Sequence, residues 1–513
     1  MIHAKWPLCW LICAKLLCTQ LVAWAGNPAA GVDDLVGALL AEGGVPGLAL
    51  VVVKDDKVVV AKGYGARTAG KRDPVDADTL FGIASLTKAF TATGIAVLVD
   101  RGKLGFDDTL ATVLPGFRVA DPYVSVHMTL RDALAHRTGT AGSDLLWYGH
   151  KDASVSSLIG RLGALPQASS LREQFGYSNL MYMVAGELLA RRSGVDWDRF
   201  VTTEIFAPLG MARSSTNLLT LPATANVATP YIRSGTRLVR VPHHAYQNIA
   251  ASGSIYSSAN DMARWIRFLL NDGQVDGRRL VGHDTLAQTM TPQMLIGPTG
   301  PADDLLFPRA NFIGYAMGWF VSDYRGHKTL SHTGSIDGMA AFIALLPEER
   351  LGVAVLTNLE GDMARAVIRN WLFDRYLGAN DTDWQPHYSR WNELIQARHE
   401  KAAADQRTAR VTGTRPALPL PGYVGRFENA LLGEVVVRVG AAKNLEWRLE
   451  SLPFAPLTHW QYDSFQIEWP TAEMNEPPVS LLTFQLGADG RPARIVISSR
   501  ALSEDAVFNT AKR

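Results

Sequence analysis

Thiols are nearly missing from this sequence: three cysteines in 513 residues, at positions 9, 13 and 18. All three fall in an N-terminal stretch that reads as an export signal. Lys5 supplies the positive start, Trp6–Ala14 is nearly all apolar, and a second apolar run ends in the small-x-small pattern Ala23-Trp24-Ala25. Lys15 interrupts the apolar run, which favours a signal cleaved after residue 25 over a retained membrane helix. Lys15 and Leu17 also stand where a lipoprotein signal before Cys18 needs apolar and small residues. The exported chain would then have no disulfide, no thiolate metal site and no cysteine nucleophile. A periplasmic or secreted location is the expectation.

Charge of one sign is also lacking. Lys+Arg total 50 against Asp+Glu 49, so no basic excess exists to hold a nucleic-acid backbone. Past residue 25 no apolar run approaches the ~18 residues of a membrane span. No H-E-x-x-H motif occurs, and Gly63-Tyr64-Gly65 lacks the G-x-G-x-x-G spacing of a nucleotide loop. His243 and His244 adjoin and cannot share a helical face, so they read as loop histidines rather than a metal pair. No metal, no cofactor and no nucleic-acid partner are expected. There is no internal repeat. With 47% hydrophobic and 19% charged residues, what remains is a globular chain with room for two or three domains.

Asp33 and Asp34 precede Leu35, Leu39 and Leu40 at helical spacing, a short amphipathic helix with acids at its start. The β-branched runs Gly47–Val53 and Val58–Ala61 read as a hairpin. Helical patterns follow at 86–102, 128–136, 179–193 and 259–271; strands return at Gly314–Ser322, Lys328–Ser331, Ala340–Leu346 and Gly352–Thr357. Strands at both ends around a helical middle point to an α+β layout, one sheet completed by both ends and packed on a helical insertion. Residues 385–410 read as a charged, helix-prone stretch, and Thr412–Gly422, with Pro416, Pro419 and Pro421, as a linker across which few contacts are expected. From 419 to 513 the pattern is short strands (433–439, 445–449, 464–469, 481–486, 493–498), a separate small β-barrel or sandwich. The domain reading is therefore 1–25 signal, 26–378 first domain, 379–418 linker and 419–513 β domain.

Chemistry concentrates at three places. Ser85-Leu86-Thr87-Lys88 opens a helix, and residues three apart share a helical face, so Ser85 and Lys88 can touch. A serine at a helix start also meets free N–H groups and the positive dipole end, which favour an oxyanion. Tyr177-Ser178-Asn179 opens a second helix, and His332-Thr333-Gly334 with Ser335 stands between two strands. A serine hydroxyl needs a neighbouring base, and lysine at about 10.4 or tyrosine near 10 must be shifted to serve at neutral pH. Burial and proximity can lower the lysine, whose charge in turn favours phenolate at Tyr177.

In order and spacing the three resemble the S-x-x-K, Y-x-N and K-T-G motifs of penicillin-binding proteins and class C β-lactamases. The flanks Leu134-Ala135-His136-Arg137-Thr138-Gly139, Gly253-Ser254-Ile255-Tyr256-Ser257-Ser258-Ala259 and Tyr315-Ala316-Met317-Gly318-Trp319 match as well. The resemblance covers about residues 30–375, and the tail resembles the lipocalin-like β domain appended to many members. It implies an antiparallel sheet flanked by helices, and an acyl-enzyme hydrolase. Ser85 would be the nucleophile, Lys88 its activator and Tyr177 the proton relay, with Asn179 orienting the substrate amide and Lys88. Thr333, Gly334 and Ser335 would line the substrate, with the Ser85 and Ser335 N–H groups as the oxyanion hole.

His332 departs from the pattern, since many relatives carry lysine there. With an ordinary pKa near 6.5 it would be mostly neutral at pH 7 and partly charged at pH 6, a poor partner for a free carboxylate. That substitution resembles the branch holding esterases, D-amino-acid peptidases, amidases and peptidases of linearised cyclic peptides. The expected substrate is a small molecule or linear peptide, with an ester or a β-lactam as alternatives. A penicillin sensor would need a later membrane segment. His136 is expected to bond the turn at Thr138-Gly139. Trp147, Tyr148, Trp319 and Phe320 read equally as cleft or core, and Pro292–Ala310 as a lid or a surface loop.

Overall fold

The computed structural model describes residues 27–235, 237–297, 303–306, 310–469, 479–499, 502 and 505–511. The expected export signal and its cysteines lie outside them.

Both ends of the first region build one sheet, as the strand distribution suggested. The hairpin β1 (Gly47–Lys54) and β2 (Lys57–Gly65) turns at Asp55 and Asp56, both at positive φ. From the far end come β3 (Met294–Leu295), β4 (Ile313–Tyr315), β5 (Phe320–Tyr324), β6 (His327–Ile336), β7 (Met339–Leu346) and β8 (Leu351–Thr357). The antiparallel order is β2-β1-β8-β7-β6-β5-β4-β3. The principal helices are α1 (Val32–Gly43), α2 (Thr87–Asp100), α3 (Leu145–Gly149), α4 (Asn179–Ser193), α5 (Ala259–Leu270), α6 (Ala364–Leu377) and α7 (Trp384–Ala409).

β1 is apolar on both faces because both are covered. Leu48, Leu50 and Val52 join a core with α1 and α6 through Val36, Leu39, Val367 and Leu372. Ala49, Val51 and Val53 face the opposite core, with Phe90, Ile95, Trp265 and Ile266 of α2 and α5. Each such aliphatic side chain contributes about 1.5–3 kcal/mol on full burial. The result is a helix–sheet–helix sandwich, with α1 and α6 on one face of the sheet and α2 and α5 on the other.

Gly314–Ser322 is not one strand. The chain reverses between β4 and β5, with Gly318 at φ 87. A Cβ there would lie 3.0 Å from the backbone of Lys88 and Ala89, so the turn presses on α2 where only glycine fits. The strand expected at Lys328–Ser331 runs on to Ile336 and carries His332-Thr333-Gly334 inside it. The stretch read as lid or loop is partly β3, and its segment Asp303–Leu306 is tied down where Leu306 O accepts from Asn370 Nδ2 at 2.6 Å. Residues 298–302 and 307–309 of that stretch lie outside the described residues.

The tail is a closed barrel of eight antiparallel strands in sequence order. Strands at 425–429, 455–461 and 506–510 join those expected; each has few inward apolar residues, which hid it in the sequence. Contacts across the boundary are more numerous than the proline-containing linker suggested. Ser451 N–H and Oγ both donate to Gly149 O, at 3.1 and 2.9 Å, and Gln406 Nε2 donates to Val479 O at 2.9 Å. The barrel therefore sits against α3. Among the described residues no helix is long and apolar enough to cross a membrane.

Candidate active site

Ser85 lies in a 3-10 turn, Ala84–Leu86, that feeds α2. Ala84 has φ 46, a left-handed conformation costing a non-glycine residue about 1–2 kcal/mol. The Ile83 N–H bond to Ile255 O at 2.9 Å helps hold that turn.

One turn on, Lys88 is fully buried. Its Nζ lies 2.9 Å from Ser85 Oγ, 2.8 Å from Asn179 Oδ1 and 3.0 Å from Ser252 O. Burial pushes its pKa down from 10.5 to about 7, against the opposing charge of Asp144. Much of it is then neutral amine at pH 7. A neutral amine has two N–H donors and one lone pair. The two carbonyl oxygens can only accept, so the lone pair is left facing the Ser85 hydroxyl.

Tyr177 packs beside this pair, its ring centroid 4.8 Å from Lys88 Nζ. Burial pushes its phenol above the usual range, and the Ser85 hydroxyl works in the other direction. The expectation of a phenolate favoured by Lys88 is therefore corrected. Desolvation outweighs the Ser85 hydroxyl, the Asp144 charge adds to it, and Tyr177 keeps its proton. Asn179 begins α4, with Oδ1 toward Lys88 and Ser252 Oγ (2.7 Å) and Nδ2 toward Asp144 Oδ1 (3.1 Å).

β6 brings the third motif to Ser85. A Cβ on Gly334 would lie 2.3 Å from Ile83 O, so only glycine lets the strand lie against the serine turn. β5 pairs with β6 only as far as Phe320↔Ser331, which leaves 332–336 facing that turn. Thr333 is half-buried and Ser335 exposed. Ser335 Oγ donates to Glu360 Oε1 at 3.0 Å, and the Gly338 N–H donates to Oε2 at 2.9 Å.

His332 is buried under Phe320 and Tyr315. Its Nδ1 lies 2.6 Å from Thr333 O, which only accepts, so Nδ1 carries the proton. Nε2 then accepts from Tyr315 O–H at 2.9 Å. Burial, with Lys88 beside it, pushes its pKa down to about 3. The expectation of partial charge near pH 6 does not hold, because the imidazole is desolvated and bonded on both nitrogens in the neutral form.

His136 does not bond the Thr138-Gly139 turn. At φ 54, it accepts the Ser178 N–H at Nδ1 (3.1 Å) and packs its ring 4.2 Å from that of Tyr177. It thus supports the second motif from behind. Buried Asp132 holds this loop through Arg137 and Arg172, at 2.6 and 2.8 Å. Trp319 is core, whereas Trp147, Tyr148 and Phe320 are half-buried. His243 is exposed and His244 lies 3.6 Å from Asp337, and among the described residues no group of three or more His, Cys, Asp or Glu could hold a metal ion.

The structure brings Ser85, Lys88, Tyr177 and Asn179 together, with β6 against the serine turn. Sequence reasoning missed four neighbours. Ser252 and Tyr315 adjoin or lie in matched flanks and could have been found there. Asp144 and Glu360 lie in no motif.

A family model described as "Beta-lactamase" matches residues 32–375, and one described as "Domain of unknown function (DUF3471)" matches 409–510. Unguisins hydrolase ungD of Aspergillus violaceofuscus is 28% identical over 428 residues, 78% of this chain and 74% of that protein. The octameric penicillin-binding protein homologue of Pyrococcus abyssi superposes with TM-score 0.60 at 20% identity, over 93% of this chain and 99% of that one. A class C β-lactamase of Rhodobacter sphaeroides gives 0.54 at 22% identity, over 68% of this chain and 98% of its own. The two solved structures support the fold.

Proposed function

The chain belongs to the Beta-lactamase family, and from that premise we propose that it is an exported serine hydrolase, most active on amide bonds of small or linear peptides. The observation that carries the reading is the buried Lys88 amine, lowered to about 7, with its lone pair toward Ser85 Oγ 2.9 Å away.

In the proposed reaction Ser85 Oγ bonds to the acyl carbon as its proton passes to Lys88 Nζ. The backbone N–H groups of Ser85 and Ser335 hold the oxyanion. The C–N bond then breaks, the Tyr177 phenol protonates the leaving amine, and Lys88 returns a proton to Tyr177. Water attacks the acyl-serine, giving its proton to the Lys88–Tyr177 pair, and Ser85 leaves reprotonated. Asn179 keeps Lys88 aimed throughout.

Two features argue against β-lactams as the main substrate. His332 is neutral and bonded away from the cleft, so it offers no cation to a free carboxylate. The Glu360 carboxylate, bonded to Ser335 Oγ and only partly offset by Arg365, adds negative charge beside β6 that disfavours one. Esters share the lack of a required carboxylate and are the second reading. An activity screen with D- and L-amino-acid amides, p-nitrophenyl esters and nitrocefin separates the three. Amides should show the highest kcat/KM; nitrocefin as the best substrate would overturn the assignment.

A further inference from the structure

We propose that Asp144 is a positioning residue of this site, locking the Asn179 amide so that its carbonyl oxygen, and not its NH2, meets Lys88; the role presupposes the serine-hydrolase reading. An asparagine amide is nearly symmetric in shape, and a flip would set donor against donor at Lys88 Nζ. A carboxylate can only accept. Asp144 Oδ1 takes Asn179 Nδ2 at 3.1 Å, which leaves Oδ1 of the amide for Lys88 at 2.8 Å and Ser252 Oγ at 2.7 Å. The same carboxylate oxygen accepts from Trp147 Nε1 at 2.8 Å, which fixes it relative to α3.

A five-residue helix such as α3 does not hold itself, and its anchors come from both sides. Asn248 Nδ2 donates to Trp147 O and His150 O at 2.8 and 3.0 Å. From the barrel, Ser451 donates twice to Gly149 O, and Glu450 lies 3.4 Å from His150 Nε2. The end of the barrel strand Leu445–Leu449 lies where a Cβ on Gly149 would be 3.0 Å from Leu449 Cδ2.

Asp144 also sets the charge balance at Lys88. The other titratable groups around Nζ are Tyr177 and Tyr182, whose rings face it, and His136 and His332, and burial keeps all four neutral. Asp144 is the negative charge that favours the ammonium. Its removal should therefore lower the pKa of Lys88 further, a change that a merely structural role would not produce.

The test is the pH profile of kcat/KM for a neutral p-nitrophenyl ester with the full-length protein, Asp144→Asn and Asp144→Ala. Both variants should move the acid limb to lower pH by half a unit or more. Asp144→Ala should also lose kcat by about 10- to 100-fold, the usual cost of a misplaced catalytic group, with KM changed less. Asp144→Asn, which keeps the shape and whose amide oxygen can accept both hydrogen bonds, should lose less. Should Asp144→Ala not melt cooperatively, Asp144→Asn decides through its limb alone. A limb at the wild-type pH in Asp144→Asn overturns the proposal. Fluorophosphonate labelling of wild-type Ser85 is run alongside: its absence would sink the hydrolase reading itself, whereas labelling with an unmoved limb sinks only the role of Asp144.

Discussion

The lowered pKa of Lys88 makes a quantitative demand on the pH dependence of the reaction. For a neutral ester, kcat/KM reports the free enzyme, so its acid limb should follow Lys88 with a midpoint near 7. Below that the rate should fall tenfold per pH unit. At pH 5 about 1% of the plateau should remain, a barrier increase of about 3 kcal/mol at about 1.4 kcal/mol per unit. The sign follows from the base: the protonated amine has no lone pair for Ser85, so acid inactivates and alkali does not. Tyr177 is pushed above its usual range and adds no alkaline limb up to pH 10. An ordinary histidine would titrate in the same region, but His332 at about 3 is neutral throughout. His332→Gln should therefore leave the midpoint in place. The assay is initial-rate hydrolysis of p-nitrophenyl acetate from pH 5 to 10. A rate still rising above pH 9 would mean that Lys88 keeps its solution pKa; a midpoint that disappears in His332→Gln would give the limb to the histidine.

The ratio of kcat/KM for a carboxylate-bearing amide over its neutral analogue should be flat from pH 5.5 to 8, because His332 stays neutral; a ratio falling with pH would show that it charges and faces substrate. Glu360→Gln should raise that ratio about threefold or more, as removal of a nearby like charge does in a partly solvated site, and no change would place Glu360 outside the substrate path. Lys88→Ala and Tyr177→Phe should each lose most of kcat and the double variant little more, since residues acting as one unit are not additive. Additive losses would mean that the proton route is misassigned. Removal of residues 419–513 should leave a cooperatively melting protein, because the sheet, α1 and α6 complete their own core, but with reduced kcat as α3 loses Ser451. Unreduced kcat would show that the barrel does not support the site.

The strands and helices of the first region were legible because their apolar periods are long and regular. The sheet's membership followed from strands at both ends of the chain. The three motifs were legible because each is a short fixed spacing on one element. What escaped was set by contacts between elements. Nothing in Tyr315–Phe320 shows a reversal, yet Gly318 must take positive φ against Lys88. In sequence His332 is a histidine with an ordinary pKa near 6.5, and only its burial under Tyr315 and Phe320 holds it neutral. Asp144 and Glu360 are ordinary acids in sequence and gain meaning from Asn179 and Ser335, distant along the chain. The three weak barrel strands became visible only once their neighbours closed the ring.

Covalent chemistry at Ser85 is the claim on which the rest depends, and the direct measurement is mass spectrometry of the full-length protein after brief incubation with a fluorophosphonate or an activated ester. A single adduct per chain is expected, mapped by peptide digestion to Ser85, forming more slowly below pH 7 and absent in Ser85→Ala at unchanged melting temperature. An adduct that persists in Ser85→Ala, or turnover of substrate without any acyl-serine at Ser85, would contradict it.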